Sequence, residues 1–161
     1  MIDRRILLAS VASLFGLAAF RWLRGTPAQA AEKFEIVKTD AEWRAQLTPQ
    51  QYEILRKEGT ERPGSSPLLK EHRKGTFACA GCDLPLFTSE SKYESGTGWP
   101  SFFTFIAGSL DTKTDFKLVL PRTEYHCARC GGHQGHVFDD GPPPTKERWC
   151  NNGVALRFIP A

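Results

Sequence analysis

The chain has 161 residues, 40% hydrophobic and 24% charged, with 14 glycines and 11 prolines in no periodic arrangement, which is enough for one domain and too little for two comfortable ones. Its formal charge of +3 comes entirely from the first thirty residues, where Arg4, Arg5, Arg21 and Arg24 face one acid, Asp3; the remainder carries seventeen charges of each sign. A neutral body gives no electrostatic reason to bind nucleic acid or an anionic membrane, and both are excluded as partners.

Residues 1–30 read as a twin-arginine-type signal peptide and residues 31–161 as a single domain. The segment has a charged start, an apolar run from Ile6 to Phe20, and Ala28-Gln29-Ala30 as a small-residue cleavage site. Fifteen apolar residues fall short of the roughly twenty that cross a bilayer as a helix, and Arg4-Arg5-Ile6-Leu7-Leu8 resembles a twin-arginine export signal. The expected location is periplasmic. The alternative is an N-terminal anchor extended through Trp22 and Leu23, with the domain facing the same compartment.

Thr39-Asp40 can cap a helix carrying Trp43 and Leu47. Thr48-Pro49 starts a second one, with Tyr52, Ile54 and Leu55 on its apolar side and Gly59 as its stop. Residues 61–67, Glu-Arg-Pro-Gly-Ser-Ser-Pro, form a loop by composition. Beyond it the helical period gives way to short runs at Thr76–Ala80, Leu84–Thr88, Phe102–Ile106, Phe116–Leu120, Val137–Asp139 and Arg148–Phe158, separated by Gly, Pro and Asp clusters. That is the pattern of a mainly β, antiparallel domain.

Five cysteines occur, four of them in two CxxC knuckles, Cys79/Cys82 and Cys127/Cys130, each followed by a turn-forming residue, Asp83 or Gly131. Paired knuckles suit one tetrahedral zinc ion with a closed coordination sphere, tying two sheet segments together. Two short disulfides, or one knuckle acting as a redox pair, are the competing uses. Cys150 is left over, either as a buried structural cysteine or as a reactive thiol. Arg148, Cys150 and Asn152 are spaced by two, so on a strand they share a face that continues through Val154, Leu156 and Phe158, and the guanidinium favours the thiolate. His133 and His136 lie among glycines that let a ligand approach, although single histidines are usually surface or core residues.

Four ordered blocks, CAGCDLPLF (79–87), SGTGWPSF (95–102), CARCGGHQGHVFD (127–139) and RWCNNGVALRF (148–158), resemble the signature blocks of the B-type peptide-methionine sulfoxide reductases, from about Ala41 to the C-terminus. The resemblance implies two antiparallel sheets with short N-terminal helices and a structural four-cysteine zinc site on Cys79, Cys82, Cys127 and Cys130. It also implies reduction of methionine-R-sulfoxide, free or in oxidised proteins, with a thioredoxin-like or other thiol as reductant. By position, Cys150 is similar to the family nucleophile, Asn152 to its amide neighbour, and His133 and His136 to the active-site imidazoles. Trp99 and Phe102 correspond to substrate-binding aromatics, and Asp140 and Arg148 to supporting residues.

An imidazolium from either histidine would then protonate the sulfoxide oxygen while Cys150 passes through a sulfenic acid. Many members carry a resolving cysteine where this chain has Thr97, so direct reduction by an external thiol is expected. Gly64 also replaces a bulkier residue of many relatives. Nothing signals an oligomer, and a monomer is expected. Two other classes compete: a non-catalytic zinc-ribbon binding module, in which Cys150 has no role, and a thiol–disulfide oxidoreductase working through a CxxC pair without zinc.

Overall fold

The computed structural model describes residues 34–161; the expected signal, residues 1–30, lies outside them. Both helices form through the same device. In α1 (Asp40–Gln46) the Thr39 hydroxyl accepts from the Glu42 amide while the Glu42 carboxylate accepts from the Thr39 amide. In α2 (Pro49–Lys57), Thr48 and Gln51 repeat that exchange behind Pro49 in the first turn. The helix is closed by Glu58 in the left-handed region, one residue before the glycine expected to stop it. Trp43, Leu47, Tyr52, Ile54 and Leu55 are all buried. No helix among the described residues is long and apolar enough to cross a membrane.

The rest is mainly β. Strands β1 (Gly75–Cys79), β2 (Pro85–Thr88) and β9 (Leu156–Pro160) make a three-stranded antiparallel sheet ordered β2-β1-β9. A second antiparallel sheet, ordered β3-β4-β8-β7-β6-β5, contains β3 (Lys92–Tyr93), β4 (Ser101–Phe102), β5 (Leu110–Asp115), β6 (Arg122–Cys127), β7 (His133–Phe138) and β8 (Arg148–Asn151). Aromatic rings join the two sheets. Phe102 stacks on Phe87 at 4.0 Å between centroids and meets Phe77 edge-on at 5.1 Å, while Tyr125 lies edge-on to both Phe87 and Trp149. Each geometry suits the ring quadrupole and adds to the area buried.

Three sequence expectations need correction. The run 148–158 is not one strand: β8 ends at Asn151, a 3-10 turn (Gly153–Ala155) intervenes, and β9 joins the other sheet. The proposed common face therefore holds for Arg148 and Cys150 but does not continue to Phe158. Phe116–Leu120 is not a strand either, because β5 and β6 pair in a register that sets Asp115 opposite Arg122 and leaves the apolar run as their exposed connection. Of the run at Phe102–Ile106 only Phe102 is strand, as the second residue of β4, and β6 was not anticipated.

Removing the ring that both sheets share leaves a cavity the aromatic layer cannot close. Phe102→Ala should lower the unfolding free energy by about 3–5 kcal/mol in urea denaturation.

Candidate active site and metal centre

Antiparallel pairing of β7 with β8 sets His136 opposite Cys150 and Phe138 opposite Arg148. Residues so paired share one face, with Cβ atoms about 4.5–5.5 Å apart. Ser101 of β4 faces Cys150 from its other side, and Glu124 of β6 faces His136. A polar row Ser101–Cys150–His136–Glu124 thus crosses the larger sheet. The adjacent row, Phe102–Trp149–Val137, points the opposite way because side chains alternate along a strand. Phe102, expected beside the substrate, is therefore fully buried in the aromatic core. Only a glycine allows the pairing to close at 135, since a Cβ there would lie 1.9 Å from the Cys150 carbonyl oxygen.

Cys150, His136, Trp99, Phe138, Arg122 and Asn152 are among the residues lining a cleft of about 120 Å³. That volume suits the tip of one side chain and is well below the roughly 300 Å³ or more of sites for larger ligands. Trp99 forms part of its wall, and its indole N–H donates to the Glu61 carbonyl at 3.1 Å. The loop beneath it is tight: Gly98, with φ 91°, accepts from the Gly64 amide at 2.7 Å, and a Cβ on Gly98 would meet Pro63 at 2.8 Å. Gly64, where the resemblance breaks, has φ 77° and open space around it.

Burial pushes the Cys150 thiol above its ordinary value, more than the Arg148 charge and hydrogen bonds from Thr97 and Arg148 pull it down. The guanidinium favours the thiolate, as expected from sequence, but burial outweighs it. Arg148 itself is fixed by two hydrogen bonds to Asp140, at 2.7 and 2.9 Å, and its guanidinium lies 4.3 Å from the Phe138 ring centre.

Both histidines are backed by buried carboxylates. His136 Nε2 lies 2.8 Å from Asp115 Oδ2, and His133 Nδ1 lies 2.6 Å from Glu124 Oε1, whose other oxygen meets His126 at 2.9 Å. A carboxylate only accepts, so each contacted nitrogen carries the proton, and the other nitrogen of the neutral ring is left as acceptor. A bulge opposite Tyr125/His126 lets histidines three residues apart bring their rings to 5.5 Å. His136 lies below its ordinary value: burial lowers it, Asp115 works against that, and Arg122 and His133 add to the lowering. It is neutral at neutral pH. In Glu124, burial acts to raise the carboxyl, but hydrogen bonds and charge from His126 and His133 outweigh it and bring the group down to about 2.

Asn152 lies just past β8, and both ends of its amide are engaged. Its oxygen accepts from the Glu61 amide at 3.0 Å, and its nitrogen donates to the Gln134 carbonyl at 3.0 Å. It ties the loop before Trp99, the bulge and the turn after Cys150 into one unit. The Glu61 carboxylate completes that clamp by accepting from the Gly153 and Val154 amides. Glu61, Asp115 and Glu124 went unread in the sequence. Glu124 had a signal, since Arg-Thr-Glu-Tyr-His-Cys alternates as a strand whose 122/124/126 face is charged. Glu61 had none.

The remaining cysteines meet at strand ends. Cys79 closes β1 and Cys127 closes β6, while Cys82 and Cys130 follow in turns made by Asp83 (φ 59°) and Gly131 (φ 66°). All four sulfurs lie within 4.8 Å of one another, with Cys79–Cys130 at 3.7 Å and Cys82–Cys127 at 3.4 Å. A tetrahedral ion with metal–sulfur bonds of about 2.3 Å needs sulfurs roughly 3.8 Å apart. None of the four is in a disulfide. Crowding drives Cys82 and Cys127 down and Cys79 and Cys130 up, because four anions cannot share this space without a cation. The donor set fits a zinc-like metal. The helices cover it: Gln46 donates to the Gly81 carbonyl and Arg56 to that of Cys130, while Leu55 packs on Gly81 and Gly132.

A SelR domain matches residues 47–160. The chain is 50% identical over 127 residues to the peptide methionine sulfoxide reductase MsrB of Agrobacterium fabrum, covering 78% of this chain and 94% of that protein. It is 51% identical over 127 residues to the protein of the same name in Pseudomonas putida, covering 78% and 96%, and 48% identical over 124 residues to that of Methanosarcina barkeri, covering 76% and 87%.

Glu124 also sets an acid limit. Its carboxyl is depressed from 4.5 to about 2 by folding, so its stabilisation is complete above the unfolded value and is lost as pH falls from about 4.5 toward 2. Glu124→Gln, less stable at neutral pH, should show a shallower fall in unfolding free energy across that window.

Proposed function

The chain belongs to the SelR-domain family of peptide methionine sulfoxide reductases, and we propose that it reduces methionine-R-sulfoxide through Cys150 as its sole redox thiol. The observation that carries this reading is the pairing of Cys150 with a carboxylate-backed, neutral His136 in a cleft sized for one side chain. The sulfoxide enters with its methyl group against Trp99, where sulfur–aromatic contact contributes about 0.3–1.5 kcal/mol. His136 takes the Cys150 proton on its free nitrogen. The resulting imidazolium, stabilised by Asp115, passes it to the sulfoxide oxygen as the thiolate attacks sulfur. Arg148 stabilises the thiolate while it exists. Two electrons leave the Cys150 sulfur, the S–O bond of the substrate breaks, and oxygen is retained as the sulfenic acid while methionine departs. Two external thiols then restore the thiol, yielding a disulfide and water.

Asn152 acts in this scheme as a positioning residue, because its amide is already occupied by backbone groups. His133, likewise oriented by Glu124, supports the field around His136. Zinc on Cys79, Cys82, Cys127 and Cys130 would have a filled coordination sphere and serve structure alone. We further propose that residues 1–30 direct export to the periplasm, where oxidised proteins and free methionine-R-sulfoxide are the substrates and a thioredoxin-like or other thiol is the donor.

With dithiothreitol as reductant, the wild type should consume methionine-R-sulfoxide and spare the S epimer, and Cys150→Ser should fall to background. Turnover confined to the S epimer, or activity surviving the substitution, defeats the assignment. The hydrogen bond from Thr97 to Cys150 generates a second test. The wild type, oxidised by one equivalent of substrate without reductant, should keep a sulfenic acid that dimedone traps. Thr97→Cys should lose that adduct and gain an intramolecular disulfide, visible as a two-dalton mass decrease.

A further inference from the structure

Among the described residues, five large hydrophobic side chains stand exposed, and four of them fall in one five-residue run: Phe116 (75%), Leu118 (59%), Val119 (100%) and Leu120 (76%). Single exposed apolar residues are ordinary, but a cluster marks a binding surface. The run is anchored at the cleft at both ends. Asp115 braces His136, Arg122 lines the cleft, and the two are joined to each other at 2.6 Å. Lys117 is tied down as well, its amide to Asp115 and its ammonium to Glu58 at 2.6 Å. At about 3.6 Å per residue, the Val119 Cα, three residues from Arg122, lies within roughly 11 Å of the Arg122 Cα. An extended substrate chain covers that span in three to four residues.

We propose that Phe116, Leu118, Val119 and Leu120 form a docking surface for the polypeptide substrate, gripping apolar residues three to four positions from the methionine sulfoxide. This rests on the reductase reading and makes it more specific. The occupant follows from position: the run starts beside Asp115, which braces His136, and ends two residues before Arg122 of the cleft wall, so run and cleft are neighbours. The polypeptide that carries the sulfoxide can cover both at once. A free amino acid is too short to reach the loop, so the surface acts on peptide binding and leaves the chemistry at Cys150 untouched.

The test compares three substrates under dithiothreitol: N-acetyl-methionine-R-sulfoxide and two short peptides that differ only in leucine or serine three residues to either side of the sulfoxide. The wild type should prefer the leucine peptide by about tenfold in kcat/KM, mostly through KM. Phe116→Ser/Val119→Ser/Leu120→Ser, and the single fully exposed change Val119→Asp, should bring that ratio toward one while the N-acetyl substrate is turned over as before. A peptide preference that survives in Val119→Asp and the triple variant overturns the proposal, as does a parallel loss on all three substrates. If the ratio stays fixed while the variants lose binding to phosphatidylglycerol vesicles, or turn from dimer to monomer in sedimentation, the loop serves a membrane or a second copy and the proposal fails. A wild type inactive on all three substrates instead removes the reductase reading beneath it.

Discussion

The pairing of β7 with β8 is the constraint on which the site depends. Its register decides, in one step, that Cys150 faces His136, that Arg148 lies beside Phe138, and that Phe102 and Trp149 turn away into the aromatic core. A strand slip of one residue would reverse every one of those assignments. Gly135 is what lets the two backbones come close enough for this register, since any side chain there would strike the Cys150 carbonyl. Asn152 and Glu61 then lock the far end, fixing where the strand stops and how the Trp99 loop lies against it.

The electrostatics around that pairing describe a resting state rather than a reactive one. Burial holds a proton on Cys150 and keeps His136 neutral. The charges that would stabilise the opposite arrangement are already fixed: Arg148 beside the sulfur by Asp140, and Asp115 behind the imidazole by Arg122 and the Lys117 amide. An ion pair formed by moving one proton is therefore met by groups that need not rearrange, which is the economical form of electrostatic assistance. In the same molecule, four other thiols stand where their crowding demands a cation, at the ends of strands from different sheets. One kind of side chain thus serves two ends, separated by whether its neighbours are dipoles and charges or other sulfurs.

The sequence displayed what is local. Both helix starts at Thr39 and Thr48, both CxxC turns with their turn-forming Asp83 and Gly131, and the shared face of Arg148 and Cys150 follow from short-range rules of spacing and backbone freedom. What it concealed is set by pairing between distant segments. Phe116–Leu120 is as apolar as a core strand, and only the β5–β6 register turns it into a surface loop. Phe102 stands in the same block as Trp99, yet the alternation of β4 sends it to the opposite side of the sheet. The carboxylates Glu61, Asp115 and Glu124 look like ordinary solvated acids in one dimension. They gain their roles from histidines and amides up to 93 residues away.

The bulge between the two imidazoles has a consequence for how this site tolerates change. The rings of His133 and His136 come together because one extra residue in β7 offsets the two-residue alternation of the strand. Deleting that residue would not weaken the arrangement gradually, since it would send one ring through to the core. The stretch can accept new side chains but not a new length, and descent with variation should reach it through substitutions far more readily than through insertions or deletions.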